Sequence, residues 1–156
     1  AGGSDAISFG VAVHKVFEQI EWADDTTVAK FEALRESVPD AVDEVARCLA
    51  NETLAKRLAK SEGDAQLWRE RAFDVVVDNE MISGVFDRVH VFADRAEIID
   101  FKSDRVGDKP SLEQAAEKYA PQMATYRQAL AKLTGLTESA IRCSLLFTHP
   151  CALVEV

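Results

Sequence analysis

The chain has 156 residues, of which 47% are hydrophobic and 29% charged, with seven glycines and four prolines; this globular composition excludes disordered, collagen-like and low-complexity readings. A chain of this length makes one ordinary domain and removes roughly 68–70% of its unfolded surface from water. With 27 acidic against 18 basic residues the formal net charge is −9, which excludes a generic nucleic-acid or membrane-surface binder, so contact with DNA needs a local patch or metal ions.

Ala1-Gly2-Gly3-Ser4-Asp5 has neither the basic region nor the apolar core of a signal peptide. Without a Met, it reads as an engineered scar or a cut from a longer chain. No apolar run reaches the length of a membrane span. From Ser8 to Trp22, the spacing of Phe9, Val13, Val16, Phe17 and Ile20 predicts an amphipathic helix. Asp24-Asp25-Thr26-Thr27 breaks it and offers N-caps. Two or three short helices follow between Thr26 and Lys60, with a break at Val38-Pro39-Asp40. From Leu67 to Ser103 the chain turns rich in Val, Ile and Phe. Three strands are predicted there, Trp68 to Val77, Met81 to Phe92 and Glu97 to Ser103, joined as antiparallel hairpins by short connections. A polar loop, Asp104 to Pro110, leads into a helix from Ser111 to about Leu133, with Gly135 as its C-cap. Strands Ile141 to Thr148 and Ala152 to Val156 close the chain. The fold class is therefore α/β, an α+β mixed sheet flanked by helices. It forms one domain over 1–156, mainly helical over 8–65 and sheet-and-helix over 66–156.

The chemistry-bearing residues begin with Asp100 and Lys102 in Ile98-Ile99-Asp100-Phe101-Lys102. Alternation puts Ile98, Asp100 and Lys102 on one face of a strand and Ile99 and Phe101 on the other. An Asp in so apolar a strand must be paired or metal-bound; a strand-end ion pair with Lys102 is the plainer reading. In Gly84-Val85-Phe86-Asp87-Arg88-Val89 alternation places Asp87 on a face with Val85 and Val89, again where a hydrophobe is expected. Gly84 lets a backbone or ligand come close. Pairing the two strands about Ala93-Asp94-Arg95 brings Asp87 within reach of Asp100, and two such carboxylates repel unless a hard cation lies between them. His14 lies beside the apolar stripe of the first helix, where it is either a boundary residue or an imidazole completing a site for Mg²⁺ or Mn²⁺. Gln122 and Tyr126, four apart, share a helix face and either hold a phosphate or pack. His90 and His149 are weaker candidates. The three cysteines, Cys48, Cys143 and Cys151, are odd in number and form no CxxC. That argues against a disulfide framework or thiolate cluster and for a reduced, cytoplasmic setting.

In order, G-x-x-x-H on a helix, G-x-x-D-R on a strand, I-D-F-K on the next and Q-x-x-x-Y on a helix resemble the RecB/AddA-type nuclease domain of the PD-(D/E)xK superfamily, from about Phe9 to the C-terminus. The resemblance implies a restriction-endonuclease-like fold with an N-terminal helical part and metal-dependent cleavage of DNA. It implies His14, Asp87, Asp100 and the Phe101 carbonyl as ligands of Mg²⁺ or Mn²⁺, Lys102 as the catalytic lysine, and Gln122 and Tyr126 as residues orienting DNA and that lysine. Glu70 falls where many relatives have a Glu before the first strand and is read as supporting. Some relatives carry a four-cysteine iron–sulfur cluster, which three scattered cysteines do not supply. No phosphate-binding G-x-x-x-x-G-K-[ST] loop is present, so the chain reads as the nuclease piece of an ATP-dependent helicase–nuclease. The expected partners are DNA, a helicase domain of the same longer chain and a second subunit, with no membrane. Lys102, Arg105, Lys109, Lys118 and Arg127 are expected to line the DNA path. The alternatives are a non-catalytic, DNA-guiding module and a stand-alone endonuclease of the same superfamily.

Overall fold

The computed structural model describes residues 2–61 and 63–156, with side chains from Ser8 onward. Helix α1 spans Gly2–Glu18, α2 Thr27–Lys30, α3 Pro39–Leu49 and α4 Glu52–Leu58. Strands β1 (Gln66–Val77), β2 (Glu80–Val91) and β3 (Ala96–Lys102) follow, then α5 (Lys109–Thr134), β4 (Ile141–Phe147) and β5 (Ala152–Glu155). The strands form one sheet in the order β1-β2-β3-β4-β5. Among the described residues only β3 and β4 run parallel, and α5 is the crossover between them; the other pairs are antiparallel. This is a mixed sheet flanked by helices, as the sequence predicts.

Local chemistry explains the boundaries. The Asp108 side chain accepts from the Ser111 amide at 2.8 Å, and Pro110 sits in the first turn of α5, where its missing N–H is not needed. That starts α5 two residues earlier than predicted. Gly135 closes it in the left-handed conformation at φ 78°. The first helix begins at Gly2 rather than Ser8, and it ends at Glu18 rather than Trp22. Its last turn tightens there: the amides of Gln19 and Ile20 reach back to the Val16 and Phe17 carbonyls. The β1–β2 hairpin turns through Asp78 and Asn79, both at positive φ, as a two-residue turn matched to strand twist requires.

Two cores cover the sheet. On one face Val13, Val16 and Phe17 of α1 and Val42, Val45 and Cys48 of α3 pack with Ile99, Phe101 and Leu146. On the other, Ala116, Met123, Ala129 and Leu130 of α5 pack with Phe86, Val89, Ile98 and Leu145. Phe17 stacks on Phe101 with centroids 4.2 Å apart, which draws α1 across β3. Simple alternation fails at one place. Phe86 and Val89 belong to the same core although three residues apart, and so do Trp68 and Phe73 across the hairpin. The phase change falls where β1 and β2 stop pairing: Arg69↔Arg88 and Arg71↔Phe86 are partners, and Glu70 and Asp87 between them are not. Glu70 sits at φ 46°, a conformation uncommon for a residue with a Cβ. The face shared by Val85, Asp87 and Val89 in the sequence reading is therefore not found: Val85 is exposed, Val89 is fully buried and Asp87 turns elsewhere.

Candidate active site

Strands β2 and β3 separate after Arg88↔Ile99, their last pair before the hairpin opens. The Phe101 amide would otherwise donate to a β2 carbonyl; it donates instead to Asp87 Oδ2 at 2.9 Å. The carboxylate thus lies along the sheet in place of the missing strand. A residue's amide and carbonyl leave the same edge of a strand, so the Phe101 carbonyl opens onto the same gap.

His14 reaches the gap from α1. Its Nδ1 lies 2.8 Å from the Gly10 carbonyl. A carbonyl only accepts, so Nδ1 carries a proton and Nε2 is the nitrogen presented to the site. Nε2 meets Asp87 Oδ2 at 3.2 Å. Burial disfavours a charged imidazole there, but the hydrogen bond and charge of Asp87 outweigh it and lift the His14 pKa to about 9. Gly10 permits this approach of α1. A Cβ at that position would meet Ser103 Oγ at 2.8 Å.

Asp100 is 5% exposed and faces α5 with Ile98. Burial and the neighbouring Asp87 hold its carboxyl well above the ordinary range, against the pull of Lys102. Burial also opposes charge on Asp87, but His14 and the Phe101 amide prevail and hold it below that range. Like charge side by side is unfavourable, and of the two carboxyls Asp100 is the one pushed toward the protonated form.

Lys102 is fixed from three sides. Its Nζ lies 2.8 Å from Asp100 Oδ2, donates to Gln122 Oε1 at 3.1 Å and sits 4.0 Å from the centroid of the Tyr119 ring. The Tyr119 hydroxyl in turn donates to Asp104 at about 3 Å, and burial followed by Asp104 pushes its pKa up to about 12. The sequence reading passed over Tyr119. Its position three residues before Gln122 on α5 is the signal that could have found it.

His14, Asp87, Phe101, Asp100, Lys102 and Gln122 thus come together. Tyr126 makes no hydrogen bond to Lys102 among the described residues; its ring packs edge-on to Phe73 and Phe86, and its hydroxyl lies within the electrostatic reach of Asp100, Asp87 and Lys102. Gly84 makes room for that packing, since a Cβ there would meet Tyr126 Oη at 2.8 Å and Phe73 at 2.9 Å. Glu70 lies inside β1 rather than before it and lines the groove beside His14. Arg127 does not line a path to the site: it donates to the Ile141 and Val156 carbonyls. Arg88, next to Asp87, is 1% exposed and is used structurally. It donates to the Ile20 and Glu21 carbonyls and to His90 Nε2. His149 lies near Glu44, with Nδ1 3.8 Å from its carboxylate. A groove of about 1320 Å³ runs from His14 along α1 and the start of α3, past Ser103, Asp104 and Arg105.

The mixed sheet with flanking helices, ending in an Asp-x-Lys strand with a second Asp and a His brought against it, defines a restriction-endonuclease-like α/β protein. The family model of the PD-(D/E)XK nuclease superfamily matches residues 2–153, and the chain belongs to that superfamily. Two curated relatives are named as ATP-dependent helicase/nuclease subunits of the same type. That of Streptococcus equi subsp. zooepidemicus is 27% identical over 141 residues, 81% of this chain and 11% of the relative. That of Limosilactobacillus fermentum is 32% identical over 72 residues, 44% of this chain and 5% of the relative. The chain thus matches only a small part of the length of either.

Nucleases of this superfamily generally use divalent metal ions. As the chain stands, no three His, Cys, Asp or Glu side chains among the described residues close around one point; His14 is engaged by Asp87 and Asp100 by Lys102. The donor chemistry nevertheless fits: two carboxylates, one main-chain carbonyl and one imidazole nitrogen suit a hard or borderline divalent cation. A buried carboxyl pair that cannot ionise fully by itself is what such a cation would relieve. Among the described residues no helix is long and apolar enough to cross a membrane.

Proposed function

We propose that this domain hydrolyses DNA phosphodiester bonds as a Mg²⁺- or Mn²⁺-dependent exonuclease. The observation that carries the reading is the convergence of Asp87, Asp100, Lys102 and His14 in a chain of a nuclease superfamily. His14 Nε2, the two carboxylates and the Phe101 carbonyl would hold the ion, which supplies Lewis-acid polarisation of the scissile phosphate and neutralises charge in the transition state. Lys102, aimed by Gln122 and the Tyr119 face, places its ammonium at the attacking water or the phosphate oxygens. Asp87, kept ionised by His14 and the Phe101 amide, supplies fixed negative charge. To hold an ion, the Asp100 carboxyl and His14 Nε2, which meets Asp87 in this structure, would each have to be free of a proton.

The names of the relatives support a setting as the nuclease part of an ATP-dependent helicase–nuclease acting in double-strand-break repair and recombination. On this reading the whole of 1–156 is one nuclease domain in the cytoplasm, and its partners are a helicase in the same longer chain and a second subunit. Net charge −9 and the acidic residues lining the groove, Glu18, Asp40, Glu44, Glu70 and Asp104 against Lys15 and Arg105, mean little counterion release. The isolated domain therefore binds plain duplex weakly and depends on its neighbour to deliver a strand. The test is the Lys102→Ala variant: the metal-dependent cleavage rate collapses while metal binding by calorimetry persists. An unchanged rate would sink the mechanism.

A further inference from the structure

Two sulfurs meet away from the site. Cys48, in the last turn of α3, is fully buried; Cys151, in the turn between β4 and β5, is half-buried and sits in the left-handed region at φ 52°. The residues are 103 positions apart, and their Sγ atoms are 3.4 Å apart. Both are free thiols. The arrangement is fixed on each side. The Cys48 thiol also lies 3.3 Å from the Thr148 carbonyl. Arg47 Nη1 donates to the His149 carbonyl at 2.7 Å and to Cys151 Sγ at 3.3 Å. The Thr148 hydroxyl donates to Glu44 at 2.7 Å, and the Asn51 amide donates to the Cys151 carbonyl at 3.4 Å. The third cysteine, Cys143, is buried on the opposite face of the sheet, against α5. Among the described residues no group of three metal-binding side chains forms here, so the pair has no third ligand and its chemistry is that of a dithiol.

We propose that Cys48 and Cys151 form a reversible disulfide by exchange with a low-molecular-weight disulfide such as oxidised glutathione, pinning the N-terminal helical layer to the β4–β5 turn. The bond needs its sulfurs at about 2.05 Å, so from 3.4 Å they must close by roughly 1.3 Å. The order of steps follows from exposure. Cys151 is the accessible sulfur, and its thiolate attacks one sulfur of the oxidant, releasing one glutathione thiol and leaving a mixed disulfide. Cys48 then loses its proton and attacks Cys151 Sγ, releasing the second glutathione. Two protein thiols become one disulfide, the oxidant gains the two electrons, and both protons leave on the two glutathione thiols. Burial, followed by the adjoining Cys151 sulfur, holds the Cys48 thiol above its ordinary range, which makes its deprotonation and attack the slow step of the pair. The location links the bond to the groove. Pro39, Asp40, Ala41 and Glu44 of α3 line it, and Thr148, at the head of the turn, donates its amide to the Lys102 carbonyl at 2.9 Å. Oxidation fixes that wall against the strand next to the Asp-x-Lys strand. This inference does not rest on the nuclease reading.

The test is to equilibrate the protein with oxidised glutathione and count thiols by alkylation under denaturing conditions, with intact mass alongside. The expected result is a fall from three reactive thiols to one, a mass loss of about 2 Da without a glutathione adduct, and reversal by dithiothreitol. The melting temperature should rise by about 5 °C or more on oxidation, because the bond closes a long loop in the unfolded chain. Cys143→Ser should keep the whole effect, and Cys151→Ser, a change at a half-buried turn, should remove it. Three thiols remaining in the oxidised sample, a stable glutathione adduct, or a bond to Cys143 or to a second molecule would overturn the proposal.

Discussion

The Arg88 side chain ties the segment that follows α1 to β2. Its guanidinium is 1% exposed. It donates at 2.6 Å to the Ile20 carbonyl, to the Glu21 carbonyl and, at 2.7 Å, to His90 Nε2. Arg88→Met keeps the apolar stem and removes every donor. A hydrogen bond from a charged donor contributes roughly 1.5–3 kcal/mol net, and an orphaned buried acceptor costs roughly 1–3 kcal/mol. Glu21 lies nearer solvent, so water replaces part of that bond, and the variant no longer buries a cation, a burial that holds the Arg88 pKa down to about 10. The balance is a loss of about 3 kcal/mol. Arg88→Lys should recover only part of it, because a point charge cannot serve three acceptors in fixed directions. Urea unfolding with linear extrapolation measures the difference, and the m value should stay unchanged. A loss under about 1 kcal/mol for Arg88→Met would refute the claim that this guanidinium ties the segment after α1 to β2.

Three further outcomes follow from the same geometry. His90 is held neutral, its pKa pushed down to about 3 by burial and then by Arg88 and Arg57; Glu97 and the Trp22 ring also face it. The unfolded chain takes up that proton near pH 6.5 and the folded one does not, so stability is intact above pH 6.5 and falls as pH drops toward 3, by up to about 1.4 kcal/mol per pH unit; unfolding titrations of His90→Gln should show a shallower acid limb. Gly10→Ala puts a Cβ 2.8 Å from Ser103 Oγ; it should slow cleavage while a helix-propensity gain of about 1 kcal/mol offsets the strain, and adding Ser103→Ala should restore the rate. Tyr119→Phe keeps the ring against Lys102 and loses only the bond to Asp104, whereas Tyr119→Leu also loses a cation–π contact of about 0.5–1 kcal/mol, a further 2- to 5-fold in kcat; equal rates for the two variants would remove Tyr119 as a positioning residue.

The elements and the Asp-x-Lys strand were legible because apolar spacing and turn residues act locally. The antiparallel β2–β3 hairpin follows from its short connection, and that alone suffices to bring Asp87 near Asp100. The face of Asp87 was not legible. The phase change at Glu70 and Asp87 comes from the divergence of β2 from β3 and a left-handed Glu70, neither of which leaves a signal in residue type. Arg127 illustrates another limit: its reach to the Ile141 and Val156 carbonyls depends on how α5 seats on β4, whereas sequence proximity to Gln122 and Tyr126 suggests a place near the site. Tyr119 and Arg88 act by tertiary contact alone, and a lone Tyr on a helix or an Arg after an Asp does not declare such a contact.

Cleavage of linear single- and double-stranded DNA by this chain and by Asp100→Ala, with Mg²⁺, Mn²⁺ or EDTA, tests the central claim most directly. The wild type should cut with either metal and not in EDTA, and the variant should not cut at all. A folded wild type that neither cuts DNA nor binds metal by calorimetry would contradict the claim and make the domain a non-catalytic module.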